Sequence, residues 1–451
     1  MWQGIRRAIG LVTAVAVLGL PASAVADWPV YGKDLANSRD GGASGPSVGG
    51  AAALAEAWRF SSQDGDFTGT PVVAGGTVVV GSYHGTVFAL DAQTGALKWS
   101  RDLYPGENGE RTPTITGSAA IANGRVYVPL ADVDSPRVVA LSLADGAVLW
   151  DRVIDTQRDS DVFGSPVVWG GRVYLGVSAL FGELNDPDVR VRGAVVALDA
   201  VTGARRWKTF IVPKQLDGGA IWTTPAIDTN TDRLYVGSGN AYHEPAADTT
   251  DAMLALDARS GRIIDHFQAT PNDVWNGTTN IFTGPDHDFG ASPNLFTTAD
   301  GRRMVGEGQK SGAYWGVDRM AMEPVWQTLT GPGSVVGGII GSTAFDGERI
   351  YGPDTLGGEV WALDRAGSTQ WASSDGDALH FGPVSTANGV VYSADMNGFL
   401  TARESATGLV LAKRPLGAPS WGGVSIDAGS VFAVTGTQGD SGFVVAYRPA
   451  G

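Results

Sequence analysis

The chain contains no cysteine, and this absence excludes several kinds of protein. Its 451 residues offer no thiol for a disulfide, a thiolate zinc site, a covalently attached c-type haem or an N-terminal lipid anchor. Charge is also sparse: charged residues make up 18% of the chain, and 47 acidic residues outnumber 32 basic ones. The resulting net charge of -15 argues against nucleic acid or an anionic membrane surface as a partner.

Long apolar runs are missing after the N-terminus. Two arginines precede the apolar stretch 9–20, which is too short to span a bilayer comfortably, and small residues follow at 24–26. We therefore expect residues 1–26 to be a signal peptide, with an N-terminal membrane anchor as the alternative. Residues 27–451 are then expected to be exported, periplasmic or extracellular, with no membrane span.

Glycine, by contrast, is abundant, and many of the 64 glycines belong to a repeated motif. The motif reads LDAQTGALKW at 90–99, and positions equivalent to Asp91 recur every 40 to 61 residues, at 142, 199, 257, 318, 364, 404 and 448. A period of this length is typical of a propeller or another repeat array. In each unit, short segments with period-2 apolar alternation are separated by glycine turns, which predicts strands rather than helices.

The repeats predict an all-β fold, a single eight-bladed β-propeller. The last unit lacks an outer strand after Tyr447, and the segment AEAWRF (55–60) resembles an unpaired outer strand. We expect this N-terminal strand to pair with the last unit and close the ring, because closure removes the free sheet edges. Within each repeat, Asp and Gly form a turn and the Trp packs on the neighbouring sheet.

The repeats resemble those of the pyrroloquinoline quinone (PQQ) propellers, the quinoprotein alcohol dehydrogenases. The resemblance covers nearly the whole chain after residue 26, and several stretches are similar to the polyvinyl-alcohol dehydrogenase branch. Other propellers with the same repeats are scaffolds that bind no quinone, so the repeats alone do not determine function.

The resemblance implies a cofactor floor and a metal ligand in one stretch, 218–240. Trp222 matches the aromatic residue that stacks under the quinone, and Asn240 matches a calcium ligand. A flat tricyclic cofactor suits an indole surface, and an amide oxygen suits a hard cation. The alternatives are packing between blades for Trp222 and a turn role for Asn240.

Four further positions are implied by the resemblance. Glu183 matches a calcium ligand, although it could be a solvated loop acid with Asp186 or Asp188 nearer to a metal. Two cations would bind the quinone itself: Arg111 its carboxylate, and Lys310, in GEGQKSGAYWG, its oxygens. Trp421 is a candidate for lining the central entrance, with packing as the alternative.

The general base departs from the pattern of the family. The usual Trp-Asp pair reads Trp275-Asn276, and an amide cannot act as a base. Downstream, GPDHDFG supplies two carboxylates, and we expect Asp288 to be the base, with Asp286 as the second choice. The pair could instead hold the calcium, with Asp286 as the expected ligand, or serve as turn residues.

Together these features predict an exported PQQ- and Ca²⁺-dependent alcohol dehydrogenase. It would oxidise a small or polymeric alcohol by hydride transfer and pass electrons to an external acceptor such as a cytochrome, since the chain has no cysteine for a covalently bound haem. The alternative is a non-catalytic propeller that acts as a binding or assembly scaffold.

Overall fold

The fold is a ring of small sheets around a central channel. A computed structural model describes residues 27–104, 113–279, 284–439 and 441–450. These residues form eight four-stranded antiparallel sheets, or blades. The predicted signal peptide lies outside the described residues. In the part of the chain that the structure describes, no helix has the length and apolar character needed to cross a membrane.

The first four blades each take their strands consecutively from the chain, starting at the channel. Blade 1 comprises Val72–Ala74, Thr77–Gly81, Thr86–Asp91 and Leu97–Asp102. Blade 2 comprises Ala120–Ala122, Arg125–Leu130, Arg137–Ser142 and Val148–Val153. Blade 3 comprises Val167–Trp169, Arg172–Val177, Ala194–Asp199 and Arg205–Phe210. Blade 4 comprises Ala226–Asp228, Arg233–Gly237, Ala252–Asp257 and Ile263–Gln268.

The next three blades follow the same order, and the last is completed from the N-terminus. Blade 5 comprises Asn294–Thr297, Arg303–Gly308, Ala313–Asp318 and Glu323–Leu329. Blade 6 comprises Ala344–Phe345, Arg349–Asp354, Glu359–Asp364 and Thr369–Ser374. Blade 7 comprises Ser385–Ala387, Val390–Ala394, Phe399–Glu404 and Val410–Pro415. Blade 8 comprises Ser425–Asp427, Ser430–Val434, Phe443–Pro449 and, as its outer strand, Leu54–Ser61.

The predicted closure of the ring is confirmed. Strand Leu54–Ser61 pairs antiparallel with Phe443–Pro449, with a register shift between Glu56 and Trp58. A strand from the N-terminal part of the chain and a strand from its C-terminal part are thus hydrogen-bonded in one sheet, which completes the four strands of blade 8. The described helical segments are short: a 3₁₀ turn at Gly42–Ser44, α1 at Val48–Ala52 and α2 at Leu180–Asn185.

Burial explains the different sequence patterns of the strands. The second strand of blade 1, Thr77–Gly81, is buried at four consecutive positions because neighbouring blades cover both of its faces. The outer strand Leu97–Asp102 is mostly exposed, and Trp99 is its buried residue. The indole of Trp99 packs on Gly146 of blade 2, and its Nε1 donates to the Leu143 carbonyl at 2.9 Å. The Trp of the repeat is therefore an inter-blade contact, as predicted.

The N-terminal segment 27–45 crosses one end of the channel and contacts the inner strands of most blades. Its backbone carbonyls at Pro29, Leu35, Ala36, Ser38 and Arg39 accept hydrogen bonds from blades 2, 4, 5, 6 and 7. The buried Arg39 side chain adds bonds to backbone carbonyls and hydroxyls of blades 7 and 8. The candidate functional residues lie at the other end of the channel, on the connections between strands.

Candidate active site

The candidate site is built from loops of blades 3, 4 and 5. The helix α2 joins the second and third strands of blade 3 and carries Glu183. Trp222 precedes the first strand of blade 4, and Asn240 follows the second strand of that blade. Asp286 precedes blade 5, and Lys310 follows its second strand. Strand ends of neighbouring blades converge at the channel, so residues distant in sequence meet there.

A cavity of about 530 Å³ opens above these residues. Acidic and basic groups at its base are Glu183, Asp286 and Lys310. Its wall and rim are largely apolar, formed by residues from blades 2 to 8 that include Phe163, Leu180, Leu184, Trp222, Trp275, Val335, Val336, Ile340, Phe381 and Trp421. A concave, mainly apolar cavity with a few convergent polar groups is the usual form of a small-molecule site.

Lys310 links the two predicted carboxylates. Its Nζ lies 2.7 Å from Asp286 Oδ1 and 3.0 Å from Asp288 Oδ2, and all three side chains are buried. Burial alone would lower the pKa of Lys310, but Asp288 and Asp286 raise it above its ordinary value, so the ammonium stays charged. The same Nζ is 5.5 Å from the centre of the Trp222 ring.

Asp286 and Asp288 differ in how many of their carboxylate oxygens have a partner. Asp288 accepts from the Asn240 backbone N–H at 2.8 Å through Oδ1, and it contacts Lys310 through Oδ2. Asp286 lines the cavity, and its Oδ2 has no hydrogen-bond partner among the described residues. Burial raises the pKa of Asp286 to about 7, opposed by Lys310 and aided by Asp288. Asp286 therefore has a free acceptor oxygen and a pKa near neutrality.

Glu183 joins the same acidic group. Its side chain is only 4% exposed, and burial, followed by the charges of Asp288 and Asp286, raises its pKa well above the ordinary value. Its Oε1 has no hydrogen-bond partner in the described ranges. The alternative ligands are less suited: Asp186 forms an ion pair with Arg158 near the surface, and Asp188 is exposed.

The predicted amide ligand is fixed by its nitrogen. Asn240 Nδ2 donates to the carbonyls of Trp275 at 2.7 Å and Ala241 at 2.9 Å, so both amide protons bond to the backbone and the amide oxygen is the atom that could act as a ligand. Asn276, which replaces the usual acid, caps a turn: its Oδ1 accepts from the backbone of Thr278 and Thr279. Trp275 borders the cavity, whereas the side chain of Asn276 forms hydrogen bonds with the backbone.

The predicted aromatic residues lie at the cavity, and the predicted arginine cannot be placed. Trp222 is partly buried, and a Cβ on Gly290 would lie 2.9 Å from its ring. Trp421 stands opposite, tilted against Phe381 with ring centres 5.6 Å apart. Arg111 lies outside the described residues.

Several lining residues were missed by the sequence analysis. Phe163 and Phe381 stand four residues before the first strands of blades 3 and 7, at the positions equivalent to Trp222 and Trp421, so the recurring aromatic residue was a usable signal. Leu184 belongs to α2, a helix that the strand pattern hides. Val335 and Val336 had a signal: two adjacent apolar residues in the glycine-rich stretch GPGSVVGG are unusual for a solvent-exposed loop.

The unpaired polar atoms test whether a quinone and a cation suit the site. Next to the cavity, Glu183 and Asp286 each have an unpaired oxygen, and the indole nitrogens of Trp275 and Trp421 have no partner among the described residues. Hard oxygen donors suit Ca²⁺, and aromatic faces with N–H donors suit a flat acidic cofactor. In the described ranges no three His, Cys, Asp or Glu side chains form a metal-binding group, and the amide side chain of Asn240 lies beside Glu183 as a further oxygen donor.

Fold and site together define a class: an eight-bladed propeller with a buried acid–lysine group at one end of its channel. The repeat family described as outer membrane protein assembly factor BamB matches residues 51–179. The chain is 28% identical to the polyvinylalcohol dehydrogenases of a Pseudomonas species, over 85% of its length, and of Sphingopyxis sp. (strain 113P3), over 83%. It spans 66% of the length of each of these curated relatives.

A solved structure agrees with the fold. The quinohemoprotein alcohol dehydrogenase from Comamonas testosteroni superposes with a TM-score of 0.76 at 20% identity, over 94% of this chain and 80% of that one. The relatives confirm the resemblance to quinoprotein alcohol dehydrogenases that the sequence predicted, and the structural likeness confirms the propeller.

Proposed function

We propose that the chain is an exported alcohol dehydrogenase that uses PQQ and Ca²⁺ and passes electrons to a separate acceptor. The similarity to alcohol dehydrogenases supports the reaction class. The observation that carries the proposal is the buried group of Asp286, Asp288 and Lys310 beside Trp222 at the base of the cavity. A propeller used only for packing has no need to bury these charges, which are costly to desolvate.

The chain's residues would hold the cofactor and cation as follows. Trp222 would provide the flat surface under the quinone, and Lys310 would bind its oxygens. Glu183 and Asn240 would supply oxygen donors to Ca²⁺, with Asp286 at the edge of the same site. When bound, the quinone supplies the hydride acceptor and the cation supplies Lewis acidity.

Within the carboxylate pair, the geometry favours Asp286 as the base, which reverses the order expected from the sequence. Both oxygens of Asp288 are engaged, whereas Asp286 lines the cavity and its buried Oδ2 has no hydrogen-bond partner among the described residues. A base must lie within hydrogen-bond reach of the proton that it removes. Asp286 takes the hydroxyl proton of the alcohol. The Lys310 ammonium would stabilise negative charge on the quinone oxygens that it binds.

Binding of the cofactor is the direct test. PQQ and Ca²⁺ are titrated into the purified protein while tryptophan fluorescence is recorded, with Trp222→Ala, Asn240→Ala and the control Trp169→Ala. Trp169 is a partly buried indole of blade 3 that does not line the cavity. We expect Kd to rise at least tenfold for the first two variants and to stay unchanged for the control. Absent binding, or equal binding by all variants, contradicts the site.

Turnover separates the two carboxylates. With a dye as electron acceptor, Asp286→Asn should lower kcat by at least a hundredfold while PQQ still binds, because the amide cannot take a proton. Asp288→Asn should retain more activity, since its contacts are structural. The opposite order would restore Asp288 as the base.

The scaffold alternative rests on the match of residues 51–179 to the assembly-factor repeats. It predicts no PQQ binding and no alcohol oxidation by the purified chain. The same titration therefore decides between the two functions.

A further inference from the structure

Asp273 is a fully buried carboxylate that has no role in the proposed chemistry. It lies between the outer strand of blade 4 and the inner strand of blade 5, and its side chain is 0% exposed. Its two oxygens accept hydrogen bonds from consecutive backbone N–H groups. Oδ1 accepts from Asp286 at 3.3 Å, and Oδ2 accepts from His287 at 2.7 Å.

The loop that receives these bonds needs external support. Asp286 has φ +58°, a left-handed conformation that is unfavourable for a non-glycine residue. Such a conformation persists where the surroundings fix it. Asp273 accepts hydrogen bonds from the backbone of Asp286 and His287. The next residue of the loop, Asp288, is held through its side chain, which accepts from the Asn240 backbone N–H.

Asp273 is itself held in place. Its backbone carbonyl accepts from Ala241 N at 3.2 Å, and Trp275 N donates to the Ala241 carbonyl at 2.9 Å, which forms a short parallel bridge. Gly284 leaves room for the carboxylate: a Cβ there would lie 2.1 Å from Asp273 Oδ1. The carboxylate therefore has little freedom to move away from the loop.

We propose that Asp273 is a positioning residue, whose carboxylate fixes the backbone of Asp286 and His287 so that the Asp286 side chain faces both Lys310 and the cavity. This proposal rests on the function proposed above. Asp273 acts through Asp286 and contacts neither the alcohol nor the quinone, since it does not line the cavity.

Two variants disturb the contact in different ways. Asp273→Asn keeps the shape but presents an NH₂ group to one of the two N–H donors, so one bond is lost. Gly284→Ala keeps the carboxylate but places a Cβ 2.1 Å from Asp273 Oδ1 and 2.7 Å from the backbone N and O of Val274, so it displaces the carboxylate together with its own backbone segment. The matched control is Asp155→Asn, because Asp155 is also buried and accepts from two consecutive backbone N–H groups, of Thr156 and Gln157.

The first measurement needs no cofactor. Hydrogen exchange of the purified chain, followed by mass spectrometry, should show the peptide containing 284–289 exchanging at least tenfold faster in both site variants. Peptides from the other blades should keep wild-type rates, and the control should leave 284–289 unchanged. Unchanged exchange at 284–289, or faster exchange throughout the molecule, overturns the positioning role.

The second measurement uses the protein loaded with PQQ and Ca²⁺. Both site variants should lower kcat by about 10- to 100-fold, as a displacement near 1 Å can do, with KM for the alcohol and Kd for PQQ within threefold of wild type. An unchanged kcat, or a loss confined to PQQ affinity, overturns the proposal. If the wild-type chain oxidises no alcohol, the proposed function fails, and the exchange result alone decides whether Asp273 holds the loop.

Discussion

Gly95 shows how one residue of the repeat serves two purposes. It follows Asp91, whose Oδ1 accepts from the backbone of Thr94 at 2.9 Å, and its φ of +73° closes the turn. It also lies under the indole of Trp58, and a Cβ there would be 2.6 Å from the ring. The pairing of Gly with a Trp of the neighbouring blade explains why both recur together in the sequence.

A pair of glycine variants should separate these two contributions. Gly75 has φ +54°, but a Cβ there would meet nothing within 4 Å. Gly75→Ala should cost about 1 kcal/mol from the backbone alone, whereas Gly95→Ala should cost about 1–3 kcal/mol more because it also displaces Trp58. Urea unfolding measures both, and equal losses would contradict the packing role of Gly95.

The pKa of Asp286 predicts a pH profile. Burial raises this pKa to about 7 in the absence of a cation, and bound Ca²⁺ opposes this rise. A base is active when deprotonated, so kcat/KM should rise about tenfold per pH unit below the pKa, which lies at or below 7 in the loaded protein, and level off above it. Initial rates between pH 5 and 9 at saturating cofactor measure the profile. A plateau extending to pH 5 would show that another group, or Asp286 with a much lower pKa, removes the proton.

At the scale of elements, the loop 330–340 forms one side of the cavity mouth. Its ends are held because Ser334 N donates to the Lys310 carbonyl and Ile339 N donates to the Gln309 carbonyl. Between these anchors, Val335 and Val336 are 39% and 54% exposed, and both line the cavity. Exposed apolar side chains at a mouth favour ligands with an aliphatic part.

Chain length of the substrate tests this loop. Burial of each methylene contributes about 0.8 kcal/mol, so kcat/KM should rise up to about fourfold per carbon from ethanol to longer primary alcohols. The double variant Val335→Ser and Val336→Ser should flatten this slope and leave ethanol oxidation unchanged. Val325→Ser, an exposed valine of the outer strand of blade 5, is the control. A slope that survives in the double variant would contradict the contact.

At the scale of the whole molecule, the ring concentrates acids at one end of the channel. Glu183, Asp251 and Asp286 are each buried, and burial is the first cause of the raised pKa of each. The pKa of each of these acids is higher in the folded chain than in the unfolded chain. At a pH between its unfolded and its folded pKa, each acid therefore binds more protons in the folded state than in the unfolded state. Stability should therefore fall as pH rises through this range.

Metal-free protein should show this trend most clearly. We expect its thermal midpoint to decrease by several degrees from pH 5 to pH 8, because protons leave the buried acids. With Ca²⁺ and PQQ the decrease should be smaller, since the cation replaces the protons. Asp286→Asn should reduce the decrease in the metal-free protein. A midpoint that rises with pH in the presence of chelator would show that these acids do not cluster as described.

The fold was predictable because its information is local and repeated. The turn of Asp91 and Gly95 and the alternating strands recur at every blade, and the orphan strand around Trp58 indicated how the ring closes. The site was predictable only in part. Resemblance indicated Trp222, Glu183, Asn240 and Lys310 as candidates, and the structure places all four at one end of the channel.

The sequence by itself determined the repeat, the number of blades and the absence of thiol chemistry, since spacing and composition carry these directly. Only the tertiary structure decided which of Asp286 and Asp288 has a free oxygen, and that Asp273 supports their loop. Both depend on contacts between segments of different blades and on a left-handed backbone at Asp286. Such contacts exist only when the ring is closed, because the channel brings together strand ends that lie far apart along the chain.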